Sequence, residues 1–268
     1  MTVTNAPAAR PSWAQDLRLA GVLAVAAMLA TAALFPYLLQ VLPEAARAPL
    51  ERIPLPLLIG AQSLQAGVLM GVLSLLGLRM GHGVGLGAPL LQHWLNRRPL
   101  PAAAPRPLQA VLLGAGAALL VLLLAALIDP HLPPMVNPPR ETGGTRAALN
   151  GLLASFYGGI VEELQLRLFL MTLVVWIAAK LRASPRAAVY WLALLLAALL
   201  FGAGHLPAAQ QIWGLAAVVV SRTLLLNGIA GVVFGWLYWK RGLEMAILAH
   251  FSADIVLHVA APLLGAGA

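Results

Sequence analysis

The sequence predicts an all-α protein, a polytopic transmembrane helical bundle of seven spans, or eight if an over-long run is broken. Three observations lead there. Of its 268 residues 61% are hydrophobic and only 10% charged, with a mean hydropathy of +0.87, whereas a soluble domain is nearer a quarter charged. The apolar residues fall into runs at about 17–42, 55–79, 108–128, 147–180, 187–206, 211–239 and 243–264, each near or above the roughly 20 residues that a helix needs to cross hydrocarbon. Turn formers gather between the runs, in LPEAARAPLERIP, in the Gly/Pro-rich stretch 81–107 and in DPHLPPMVNPPRETGG.

Taken in order, residues 1–16, MTVTNAPAARPSWAQD, are polar and rich in Pro and Ala, and read as a disordered tail. The run that follows is too long for a signal-peptide core, so it reads as a retained span. Residues 17–268 form one transmembrane domain with no internal repeat. The fourth and sixth runs are over-long, and a break in either would give the eighth span.

The net charge is +8, but the arginines lie in short loops, which points to a bilayer partner and away from nucleic acid. With the N-terminus inside, eleven of the seventeen Lys and Arg face the cytoplasm and four the opposite side, while Arg167 and Arg222 fall within spans. That bias predicts a multi-pass cell-membrane protein with a cytoplasmic N-terminus. There is no cysteine, which excludes disulfides, thiolate metal sites and a cysteine nucleophile.

Several motifs read as structural. GHGVGLG at 81–87 follows no strand, so it is expected to be a flexible loop rather than a dinucleotide site. GAGAALL at 114–120 suits close helix packing in lipid. His82, His93 and His131 are expected in solvated loops. Trp13, Trp236, Tyr238 and Trp239 fit an interfacial belt. Arg222 is expected to meet a carbonyl or carboxylate, and His258 to be an interhelical hydrogen-bond partner.

Other polar residues need a stronger reason. Glu162, Glu163, Arg167 and Asp254 would together cost on the order of 10 kcal/mol at uncompensated mid-membrane positions. Glu163 and Arg167 are four apart with the acid first, the favourable order for an ion pair. Glu162 is rotated about 100° from Glu163, so one carboxylate is structural and the other free for chemistry. Phe201 and His205 are four apart at the end of the fifth run, and His250 and Asp254 four apart in the last. Glu162, His205 and His250, from three helices, can converge on one water, or bind zinc as a His₂Glu set.

Glu162-Glu163-x-x-x-Arg167, Phe201-x-x-x-His205 and His250-x-x-x-Asp254, in that order, resemble the signature of the CPBP intramembrane proteases, the family of CAAX prenyl endopeptidases and Abi-type bacteriocin-processing proteins. The resemblance spans about residues 150–260. Two departures stand out: Leu166 and Leu168 flank the arginine where many members have Phe and Gly, and Asp254 stands where the best-understood members have Asn.

The resemblance implies hydrolysis of a peptide bond in a membrane-associated peptide or protein. Glu162 would take a proton from a water also held by His205. His250 would stabilise the oxyanion, with Asp254 donating when protonated or orienting His250 from behind. Glu163, Arg167 and Phe201 would support the site. No cofactor is required by this preferred mechanism. The zinc-dependent version, through Glu162, His205 and His250, is the near alternative. A proton-coupled transporter and a non-enzymatic immunity or scaffold protein are the readings from other classes. His-Glu-x-x-His, Gly-x-Ser-Gly and Gly-x-Gly-Asp do not occur, which argues against other intramembrane protease types.

Overall fold

The computed structural model describes residues 11–48, 50–100, 105–138, 143–181 and 185–265. Seven helical segments among them are long and apolar enough to cross a membrane: Trp13–Val41, Leu55–Gly81, Pro107–His131, Gly144–Leu181, Ala187–Trp213, Ala217–Arg241 and Leu243–Leu263. No strand occurs among the described residues. The all-α class and the seven spans are as the sequence predicts.

The first span starts earlier than its hydropathy suggests, because Ser12 and Gln15 cap it reciprocally. Trp13 to Asp16, grouped with the tail on composition, are therefore helical, while residues 1–10 lie outside the described part. The fourth span reaches 38 residues without a break. It contains π-helical stretches at Tyr157–Glu162 and Leu164–Met171. The over-long sixth run divides at Gly214, whose φ of 77° ends the preceding helix. Residues through Trp213 thus complete the fifth span, and no eighth span arises. The fifth span is itself interrupted at His205, between Ala187–Gly204 and Leu206–Trp213. Pro207 explains the interruption, since its ring lacks the N–H that would continue the helical ladder.

Packing follows small residues. The second span buries Ser63, Gly67, Ser74, Gly77 and Gly81, a small-residue stripe of the kind that lets helices approach closely in lipid. Gly77 lies against the backbone of Leu168, and Gly114, in the GAGAALL run, against the backbone of Ala249. A Cβ at either would collide with that backbone. The fourth span packs against the first, second, fifth and seventh, so its polar residues lie inside protein.

The ends are clasped by polar groups. Asp16, fully buried, accepts from Arg79 Nη1 (2.9 Å) and Gln92 Nε2 (3.3 Å) and pairs with His82 Nε2 (2.9 Å). His82 is therefore tied down, contrary to its expected solvation. His93 and His131 are exposed, though His93 sits on the helix Pro89–Asn96. The 81–87 loop is also more ordered than expected. Val84 and Leu86 are buried, and the Val84 carbonyl accepts from Tyr190 Oη at 2.7 Å. Arg222 meets the Asp129 carboxylate through Nε (2.5 Å) and Nη2 (2.8 Å), the kind of partner expected of it. Tyr238 does not join the interfacial belt: it is 1% exposed and shares a 2.6 Å hydrogen bond with Thr172.

Candidate active site

Glu162 and Glu163 occupy the junction of the two π-helical stretches, a backbone form that recurs at functional sites. Their surroundings differ sharply. The Glu163 side chain is 0% exposed and that of Glu162 21% exposed, so only Glu162 is open to a reacting molecule.

Arg167, also fully buried, lies 3.0 Å from Glu163 Oε1 through Nη1 and donates from Nη2 to the Gly231 carbonyl at 3.1 Å. Its guanidinium carbon is 5.2 Å from the Phe201 ring centroid and 5.5 Å from that of Phe234, distances at which a ring quadrupole attracts a cation. The expected Glu163–Arg167 pair is present.

The same Glu163 oxygen also holds His250, at 2.8 Å from Nδ1. Phe234 stacks on the His250 ring (centroids 4.4 Å, interplanar angle 19°) and Phe201 meets it edge-on at 5.5 Å. A carboxylate oxygen only accepts, so Nδ1 carries a proton in this contact. The imidazole is thus fixed by its Nδ1 edge and its face, and Nε2 points to the open side. There it lies 3.7 Å from Glu162 Oε2 and 3.8 Å from Asp254 Oδ1, both longer than direct hydrogen bonds. The position behind His250, one of two considered for Asp254, belongs to Glu163. Asp254 faces the same nitrogen as Glu162 does.

Gly158, one helical turn before Glu162, keeps this edge clear. A Cβ there would sit 2.5 Å from Asp254 Oδ2 and 3.0 Å from His250 Nε2. Gly158, Phe234 and the Gly231 carbonyl were not picked out from the sequence. The spacing of four between Gly158 and Glu162 was the one available signal, while Phe234 carries no mark that distinguishes it from a packing residue.

His205 stands at the interruption of the fifth span, with Nδ1 2.8 Å from the Phe201 carbonyl. A carbonyl cannot donate, so Nδ1 carries the proton and a neutral ring offers Nε2 as an acceptor. His205 contacts Phe201 edge-on, with centroids 4.9 Å apart. Phe201 therefore touches both imidazoles, and the distance between their centroids cannot exceed the sum of their distances to it. The structure groups Glu162, Glu163, Arg167, Phe201, His250 and Asp254 directly, and His205 joins them through Phe201. His258 meets Tyr37 of the first span edge-on at 5.5 Å.

Among the described residues no three His, Cys, Asp or Glu side chains are gathered closely enough to share one ion. Glu162, His205 and His250 as arranged therefore do not fit a zinc site.

Fold and site together define a polytopic membrane protein that encloses an acid–base cluster of carboxylates, imidazole and guanidinium. Residues 144–256 match the family described as Type II CAAX prenyl endopeptidase Rce1-like. That region contains Glu162, Glu163, Arg167, Phe201, His205, His250 and Asp254. No curated protein and no solved structure matches the chain.

Proposed function

We propose that the chain is an intramembrane endopeptidase in which Glu162 activates water. The observation that carries this reading is the difference between the adjacent glutamates. Glu163 is buried and consumed by Arg167 and His250, whereas Glu162 is accessible and faces His250 Nε2.

A water between Glu162 and His205 Nε2 gives one proton to Glu162 as its oxygen attacks the scissile carbonyl carbon. The carbonyl π pair moves to oxygen. His250, as imidazolium, donates from Nε2 to that oxyanion while Glu163 accepts from Nδ1. When the intermediate collapses, the C–N bond breaks and Glu162 returns its proton to the leaving nitrogen. Asp254, protonated, adds a second donor at the same edge. Arg167 offsets the charge of Glu163 and keeps the acceptor in place.

The substrate class is a peptide or protein held at the membrane, prenylated where the source cell prenylates. The N-terminus is assigned to the cytoplasm from the Lys and Arg distribution. The test is cleavage of a membrane-tethered peptide library by purified protein in liposomes, comparing wild type with Glu162→Gln, each with and without a strong chelator. Loss of cleavage in a folded Glu162→Gln protein, with wild-type activity resistant to chelator, supports the mechanism. Chelator loss restored by Zn²⁺ overturns its metal-free form.

A further inference from the structure

Away from this site, a cavity of about 250 Å³ lies at the end of the bundle where the first helix begins. Its lining includes His82, Gln92, Tyr238, Trp239, Lys240 and Arg241, together with the glycine-rich turn that follows the second span. Its volume is below the roughly 300–1,000 Å³ of pockets for drug-sized molecules. A single headgroup is a better match than a whole lipid.

Its charge is one-sided. Lys240 and Arg241 line it, and among the described residues no carboxylate does. Asp16, behind His82, is already engaged by Arg79, His82 and Gln92. Glu244, beside Gly242, gives one oxygen to the Leu91 N–H at 2.8 Å and keeps the other buried without a partner. Arg241 Nε is buried and has no hydrogen-bond partner, a cationic donor left unmet. The Lys240 ammonium lies 3.4 Å from the Trp239 ring centroid, anchored by cation–π attraction while its side chain remains exposed. The walls are fixed in advance, since Gly87 O accepts from Leu243 N at 2.9 Å and Val84 O from Tyr190 Oη.

We propose that this cavity binds a phosphate-bearing anion at the membrane surface, with Arg241 and Lys240 as its cationic contacts. The phosphate of an anionic lipid headgroup and free inorganic phosphate share that chemistry. Neither depends on the peptidase reading, because the cavity and the catalytic cluster share no residue.

Thermal unfolding of the full chain in neutral detergent tests the proposal, with phosphatidylglycerol, phosphatidylcholine or inorganic phosphate added. Phosphatidylglycerol is expected to raise the melting temperature of wild type, with an apparent affinity about tenfold weaker in Arg241→Gln and in Lys240→Gln, the loss of one charge-assisted contact each. Lys180→Gln, which removes a lysine poised over Trp176 outside the cavity, should respond as wild type. An equal shift with inorganic phosphate alone identifies a soluble source and supports the site. A shift with phosphatidylglycerol alone identifies a lipid headgroup and also supports it. Lys240 is exposed, so its variant remains readable if Arg241→Gln fails to fold. No shift with either anion overturns the proposal, as does a shift equally strong in the Lys240 variant or equally weakened by Lys180→Gln.

Discussion

Replacing Gly158 by alanine adds one methyl where the account places the reacting oxygen. The new Cβ would lie 2.5 Å from Asp254 Oδ2 and 3.0 Å from His250 Nε2, well inside the roughly 3.5–4.0 Å of comfortable contact. Asp254 can yield, because the clash is at the tip of a side chain that is 12% exposed. His250 cannot easily yield, being held by Glu163 and Phe234. Overpacking of this kind costs about 1–3 kcal/mol, small enough for the fold to survive. Cleavage should fall by about 10²-fold or more, the usual result of displacing reacting groups by about 1 Å. The assay is peptide cleavage alongside thermal unfolding for three alanine variants. Gly60→Ala meets no neighbour and should behave as wild type. Gly151→Ala drives its Cβ into the His258 backbone and should fail to fold. Gly158→Ala should be folded and inactive. A fully active Gly158→Ala protein would refute the placement of the reaction at this edge.

Arg167→Ala leaves Glu163 with only His250 for support inside the bundle. Stranding a buried charge costs about 3–5 kcal/mol, so monodisperse yield and activity should drop together; a well-folded but inactive Arg167→Ala protein would contradict this. Asp16→Ala removes the acceptor shared by Arg79 and Gln92 and the partner of His82. Limited proteolysis should then cut faster near residues 11–20, and unchanged protection would show that the clasp is dispensable. Arg222→Gln breaks a pair whose side chains are 21% and 40% exposed, so the loss should be within about 1 kcal/mol. A melting shift several times larger would mean that the Asp129 contact is far stronger than its exposure suggests.

Much of the site was legible because charge in a lipid-spanning run demands a partner, and helical spacing restricts which one. Glu163–Arg167 and the shared face of His250 and Asp254 follow from intervals of four. The contact that organises the site, Glu163 to His250, joins residues 87 positions apart, and no local interval encodes it. Phe234 was hidden for the same reason: its stacking on His250 depends on how the sixth and seventh spans pack. Hydropathy located the spans but misjudged their ends where a cap or a single glycine decides, as at Ser12 and Gly214. It also could not show that Pro207 interrupts the fifth span beside His205, or that Val84 and Leu86 turn a glycine-rich stretch inward.

The central claim is the division of labour between two neighbouring glutamates, and paired cleavage rates and melting temperatures of Glu162→Gln and Glu163→Gln test it most directly. Gln at 162 keeps the shape and a hydrogen bond but cannot take up the proton. It should fold as wild type and lose the roughly 10²–10⁴-fold contribution of a general base. Gln at 163 leaves Arg167 without its counter-charge, so it should lower the melting temperature as well as the rate. A Glu162→Gln protein that cleaves at the wild-type rate, or a Glu163→Gln protein that is inactive with an unchanged melting temperature, would contradict the account.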